Sequence, residues 1–327
     1  MTTTAVPPDV LRSRLGFPVE ATASLARIVA LAPMPRSFVL PGPDETRDLL
    51  LAMGVSPDAC EEAAHAVPSA DTHPEAFFVL ERMHHEIVCG DADPLWWPWP
   101  HPADAPLERY FQLYAFLAAL PHTRASYASR GIPEDVMWDT LQDVALAVES
   151  YRTRHGRAGF DSAFWFAQHF RARTFRLGRL LFNVWQVVFD PGPGAGFEEC
   201  DPAVGVHMPA YGRLEPQACD ESFERARAFF PGYFSEITFG VMTCASWLLD
   251  PQLAEYLPET SNIVRFQHRF ELARSWTAGD DAVVRFVFGY EPSSIDDLPQ
   301  RTTLERAIVG HLRAGRHWRI RQGWLVL

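Results

Sequence analysis

The chain has 327 residues, 47% of them hydrophobic, which is apolar mass enough for about two domains. With 29 basic against 41 acidic residues its formal charge is −12, which argues against non-specific binding to nucleic acid or to an anionic membrane. Every basic residue is arginine, as a GC-rich bacterial genome would produce, and this excludes Schiff-base and P-loop lysine mechanisms.

The first third reads as helices punctuated by proline. Residues 44–55 follow Pro41-Gly42-Pro43 and end near Gly54. Residues 57–67 and 74–88 each carry a proline near the first helical position and acids in the first turn. Residues 91–106, DADPLWWPWPHPADAP, hold too many prolines for helix or central strand. A helix over 107–120 is expected to stop at Pro121, giving a helical domain 1–120 and a mixed domain 121–327. Apolar residues at helical spacing predict one helix over 131–156, closed by His155-Gly156, and another over 161–170.

The pattern then changes. Residues 175–189 are apolar on both faces and read as one long buried strand, bounded by DPGPGAG. Strands are expected at 203–208, 236–247, 262–272, 282–289 and 319–327, and helices at 215–230, 251–257 and 302–312. The fold class is α+β: a helical N-terminal domain, then a mixed sheet with flanking helices. Strand, loop, helix and strand over 203–247 imply a parallel pair with a right-handed crossover. The loop then sits at the carboxyl end of the sheet, where such folds place ligands.

That loop lies in Val204–Pro216, VGVHMPAYGRLEP. Free N–H groups at 209–214, the start of the next helix, Gly212 and Arg213 suit an anion. A generic strand-to-helix turn has the same appearance, and neither GK[ST] nor GxGxxG is present. Elsewhere, MHHE at 83–86 lacks the second histidine of a zinc helix, since position 89 is Cys, so no metal is expected. Five cysteines (Cys60, Cys89, Cys200, Cys219 and Cys244) without a C-x-x-C fit a reducing cytoplasm. No leader or run of ~18 apolar residues suggests a membrane.

Three stretches carry a family resemblance: RTFRLGRLLFNV, VGVHMPAYGRLEPQACDESFERARAFF and TCASWLLDPQLAEYLPETSNIVRFQHRF. They resemble a bacterial family of GNAT-like acyltransferases with a helical N-acyltransferase domain followed by a GNAT-like domain. The likeness covers residues 120–295 well and the N-terminal helices loosely. It implies that acetyl-CoA or another acyl-CoA is the co-substrate. It also implies two adjacent parallel strands, 203–208 and 237–246, that splay around the pantetheine arm. Val206, Met208, Tyr211, Gly212, Arg213 and Leu214 would then hold the cofactor. Where the family loop reads Q/R-x-x-G-x-G/A, this chain has YGRL, with one glycine and Arg213 as the compensating cation.

Acyl transfer needs a base for the acceptor, donors for the oxyanion and a proton for the thiolate. His207 is the candidate base, since imidazole titrates near neutrality. Ser246 or Cys244, two apart on one strand, are candidate proton donors facing it. Cys244 also admits a nucleophilic pairing with His207. Trp247 is a candidate substrate contact, although it and its neighbours Leu248 and Leu249 also suit a core. Glu198 is a candidate for holding a cationic acceptor, and WWPWPHP at 96–102 an aromatic wall or an inter-domain packing patch. On 262–272, Arg265, Gln267 and Arg269 would share a face and line the cleft or meet solvent.

The expected function is transfer from acyl-CoA to an amine, with a hydroxyl as second choice, of a small molecule by direct attack. A catalytically degenerate binding protein and a Cys/His thioesterase stand as alternatives, and a homodimer is compatible with all three.

Overall fold

The computed structural model describes residues 7–31, 38–90, 105–209, 211–289, 292 and 294–327. The chain parts into two compact units between Arg173 and Thr174. The sequence-based boundary at 120/121 falls instead inside a helix.

The first unit is helical: α1 Pro8–Arg14, α2 Thr22–Ala30, α3 Pro43–Ala52, α4 Pro57–His65, α5 Pro74–Cys89, α6 Pro106–Arg130, α7 Glu134–Leu141, α8 Asp143–His155 and α9 Ala163–Phe170. Several open with proline at the first turn, where its missing N–H costs nothing. Every residue from Arg109 to Leu120 is buried, so α6 is the central helix. It runs straight past Pro121 and ends only at Gly131, in the left-handed region at φ 70°. Burial upstream and the Thr123 hydroxyl, 2.7 Å from the Phe170 carbonyl, hold both sides of the proline in place. The single helix expected over 131–156 divides at Gln142 into α7 and α8. Arg109 is buried but not unpaired: its Nε donates to Ala158 O at 2.8 Å, and Glu62 takes its Nη2.

The second unit contains β1 Thr174–Arg176, β2 Leu181–Gln186, β3 Pro202–His207, α10 Pro216–Tyr233, β4 Val241–Ser246, α11 Asn262–Gln267, β5 Glu271–Ala278, α12 Asp280–Phe288, α13 Thr303–Arg313 and β6 Arg319–Val326. The strands form one sheet in the order β1-β2-β3-β4-β6-β5. β3 and β4 are parallel, and every other pairing is antiparallel. The crossover α10 packs on one face, where Phe223 meets Phe182 of β2 at 5.9 Å between ring centroids. Phe182 stands opposite Val206, and Val204 opposite Met242, so these four share that face.

Four sequence-based elements change. The long strand at 175–189 is a hairpin, β1 and β2, turning at Gly178 with φ 90°. The strand at 236–247 shortens to β4. Residues 262–267 are helix, because the Ser261 hydroxyl accepts from Val264 N at 3.2 Å and caps it; the strand follows as β5. Residues 280–288 are helix too, with Asp280 and Asp281 in the first turn and Gly289 left-handed at the end.

Candidate active site

The parallel ladder between β3 and β4 is short. It pairs Ala203 with Val241, Val204 with Met242 and Gly205 with Thr243, and stops there. Each strand runs on with its other neighbour. Val206 and His207 stay paired with Phe182 and Leu181 of β2. Cys244, Ala245 and Ser246 stay paired with Gly323, Gln322 and Arg321 of β6. The sheet therefore forks beyond Gly205 and Thr243, at the carboxyl end of the parallel pair. This is the expected splay.

His207 stands at the mouth of the fork, half-buried. Its Nε2 lies 3.0 Å from Oδ1 of Asn183, which is 3% exposed. Asn183 stands opposite Gly205 in the β2–β3 ladder, and His207 follows two residues later on the same face. A Cβ on Gly205 would lie 2.0 Å from that Oδ1 and 3.4 Å from Nε2. The glycine is thus what lets Asn183 reach His207 across the bare backbone.

The partners expected for His207 are not beside it. The register puts Gly205, His207, Thr243 and Ala245 on one face and Val206, Cys244 and Ser246 on the other. Cys244 is buried, its Sγ 3.9 Å from the Met208 sulfur, and desolvation pushes its thiol up to about 12. Burial that holds the thiol protonated makes it a poor nucleophile. The Ser246 hydroxyl accepts from Leu248 N at 3.0 Å and caps the short helix Trp247–Leu249. Trp247 is 8% exposed and packs in a core with Leu253, Val264 and Trp318. Glu198 is exposed in the β2–β3 connection, beyond the end of β3 opposite His207. Five residues of strand, ~17 Å, separate the two ends. Arg265, Gln267 and Arg269 do not share a strand. Gln267 bonds the carbonyls of Leu248 and Asp250 at 2.7 and 2.9 Å, and Arg269 pairs with Asp220 at 2.7 Å. The segment 96–102 lies outside the described residues.

The loop after β3 holds the other candidates, apart from Ala210, which lies outside the described residues. Gly212 is left-handed at φ 63°, Arg213 is exposed and Leu214 is buried. Val206 is buried in the sheet and Met208 half-buried at its end. Tyr211 lies beneath two guanidinium groups, Arg176 at 4.5 Å and Arg179 at 5.0 Å from its ring centroid.

Arg179, in the β1–β2 turn, escaped the sequence reading. Its Nε donates to Arg213 O at 2.9 Å, and its Nη2 to Pro209 O and Gly212 O, both at 3.2 Å. Its Nη1 is buried without a hydrogen-bond partner. The turn is fixed to α10 by Arg179 N, which donates to Ser222 Oγ at 2.8 Å. One planar cation thus takes up three loop carbonyls. The available signal was RLGR, whose glycine breaks the apolar run.

Among the described residues, no group of three or more His, Cys, Asp or Glu is placed to hold a metal ion, and no helix is long and apolar enough to cross a membrane.

A mixed sheet whose parallel pair forks around a histidine, with a cation-fixed loop leading into the crossover helix, is the architecture of a GNAT-like acyltransferase. Residues 174–325 match the GNAT-like C-terminal domain and residues 44–172 the N-acyltransferase N-terminal domain. Three solved structures are similar over 98% of this chain and 100% of theirs, each at 37% identity. One is an acyltransferase variant in complex with octanoyl-CoA, at a TM-score of 0.87. The second is an acyltransferase in complex with decanoyl-CoA and teicoplanin, at 0.86. The third is an acyltransferase in complex with CoA and 10C-teicoplanin, at 0.87. No curated protein matches the chain. The chain belongs to this family of GNAT-like acyltransferases, in which an N-acyltransferase N-terminal domain precedes the GNAT-like domain.

Proposed function

We propose that the protein transfers an acyl group from acyl-CoA to an amine of a glycopeptide-type acceptor by direct attack. The fork between β3 and β4 carries this reading, because the two strands stop pairing beyond Gly205 and Thr243, which suits the amide-bearing pantetheine arm. The solved relatives supply the chemical class of both ligands. The loop from Pro209 to Leu214, with the exposed Arg213, suits the phosphates of CoA. Val206 and Met208 border the arm.

His207 takes a proton from the acceptor amine as its nitrogen attacks the thioester carbonyl carbon. The carbonyl π electrons move to oxygen and then return as the C–S bond breaks. The imidazolium gives its proton to the departing thiolate, so the products are the amide and CoA thiol. Neither Cys244 nor Ser246 is needed. The thioesterase alternative loses support, because the Cys244 thiol is buried on the face away from His207.

Thermal melts with octanoyl-CoA and decanoyl-CoA test the binding step. Ligand at a hundredfold its Kd should add about 2.7 kcal/mol. Release of CoA thiol on adding a teicoplanin-type glycopeptide with a free amino group tests the chemistry. His207→Ala should lower kcat ~10²–10⁴-fold and leave CoA affinity unchanged. No melt shift with either thioester refutes the reading. A shift without thiol release from any amine acceptor points to a non-catalytic binding protein.

A further inference from the structure

Asn183 is a polar residue in a setting built for apolar ones. It is 3% exposed, with Phe182 and Val184 beside it on β2. A buried amide is costly unless its polar atoms find partners, and Oδ1 has one in Nε2 of His207 at 3.0 Å. The opposite residue is the one type that makes room, since any Cβ at Gly205 would sit 2.0 Å from Oδ1. Two adjacent strands thus each give up an ordinary strand residue to allow one contact with one histidine.

That contact bears on the chemistry of the ring. An amide oxygen only accepts, so Nε2 must carry the hydrogen, and in the neutral ring the basic nitrogen is Nδ1. We propose that Asn183 is a positioning residue for acyl transfer, holding His207 by Nε2–H so that Nδ1 accepts the proton of the acceptor amine. This rests on His207 being the base. When Nδ1 takes the proton, the Nε2–H···Oδ1 bond is kept and strengthened, because its donor is now cationic. Asn183 therefore stabilises the charge as it forms and keeps the ring from turning. Gly205 takes part by having no side chain.

The test uses the full-length protein with octanoyl-CoA and the free-amine glycopeptide. Nitrogen-15 NMR of the wild-type imidazole at pH 8 reads the tautomer without any turnover. The Nε2–H form is expected for His207, and the Nδ1–H form overturns the proposal. Asn183→Leu keeps the volume and removes the acceptor. It should lower kcat ~10–100-fold, with KM for octanoyl-CoA within threefold of wild type. Asn183→Asp keeps the acceptor and adds charge. It should restore most of kcat and move the acidic limb of the pH–rate profile upward by about one unit.

A merely structural role predicts a lower Tm in both variants and an unchanged kcat for the folded Asn183→Leu enzyme. If Asn183→Leu does not fold, the tautomer still decides. Full activity in His207→Ala would instead defeat the reading of His207 as base. Activity lost in His207→Ala but unchanged in both Asn183 variants would defeat this proposal alone.

Discussion

Arg179→Met removes the guanidinium and keeps the stem. Three N–H···O=C bonds are lost, at 2.9, 3.2 and 3.2 Å, to carbonyls of the loop after β3. Bonds from a charged donor are worth ~1.5–3 kcal/mol each when buried. Arg179 is half-buried, so ~1 kcal/mol each is the better figure, or about 3 kcal/mol in all. The loop keeps its other tethers, the buried Leu214 and the Arg176–Tyr211 stack. Apparent affinity falls with the fraction of molecules whose loop is competent. The Kd for CoA should therefore rise between ~10-fold and ~100-fold. Arg179→Lys should fall in between, since one ammonium cannot span three carbonyls in a plane. Isothermal titration of CoA at fixed ionic strength reads the effect, with a thermal melt to show that the fold persists. A Kd for Arg179→Met within threefold of wild type would refute the assignment of the loop's shape to Arg179.

Two further outcomes follow from titratable groups. Cys244→Ala should keep turnover within threefold, and the wild-type Cys244 should resist iodoacetamide at pH 8, since burial pushes its thiol up to about 12. An acylated Cys244 peptide in the mass spectrum would contradict this. His84 is held down to about 4 by burial, with the nearby His122 and His85 adding repulsion, and its Nδ1 is buried without a partner. The unfolded ring takes a proton near pH 6.5 and the folded one only near 4, so the unfolded state binds more protons in between. Stability should therefore fall as pH drops through that window, by about 2 kcal/mol after allowing for partial exposure. Urea melts of wild type and His84→Gln at pH 7.5 and 4.5 measure the difference, and an identical pH dependence in both would exclude it.

The β3–loop–α10–β4 unit was legible in the sequence because its signals are local. An apolar run, a Pro/Gly turn, Pro216 at a helix start and a second apolar run each report on a few neighbours. The relation between strands was not legible. Cys244 and Ser246 do share a face, as their spacing of two requires, but whether His207 shares it depends on which residue of β3 pairs with which of β4. That register is set by the whole sheet, and a slip of one residue inverts the answer. Asn183 was hidden for a similar reason: its meaning depends on Gly205 lying opposite. Residues 280–288 misled through composition. Val283, Val284 and Phe288 favour strands, yet their spacing puts all three on one buried side of α12.

The fork has an outer support that bears on affinity. As β3 and β4 part, each remains bonded to another strand, β3 to β2 through His207 and β4 to β6 through Ser246. The gap is therefore held open from both outer sides, with no ladder bond to break on entry. A pantetheine arm, with its two amides, would enter as a temporary extra strand in a sheet that already has a place for it. Little reorganisation is then charged against binding. Loss of the β2–β3 or β4–β6 pairing would remove that outer support.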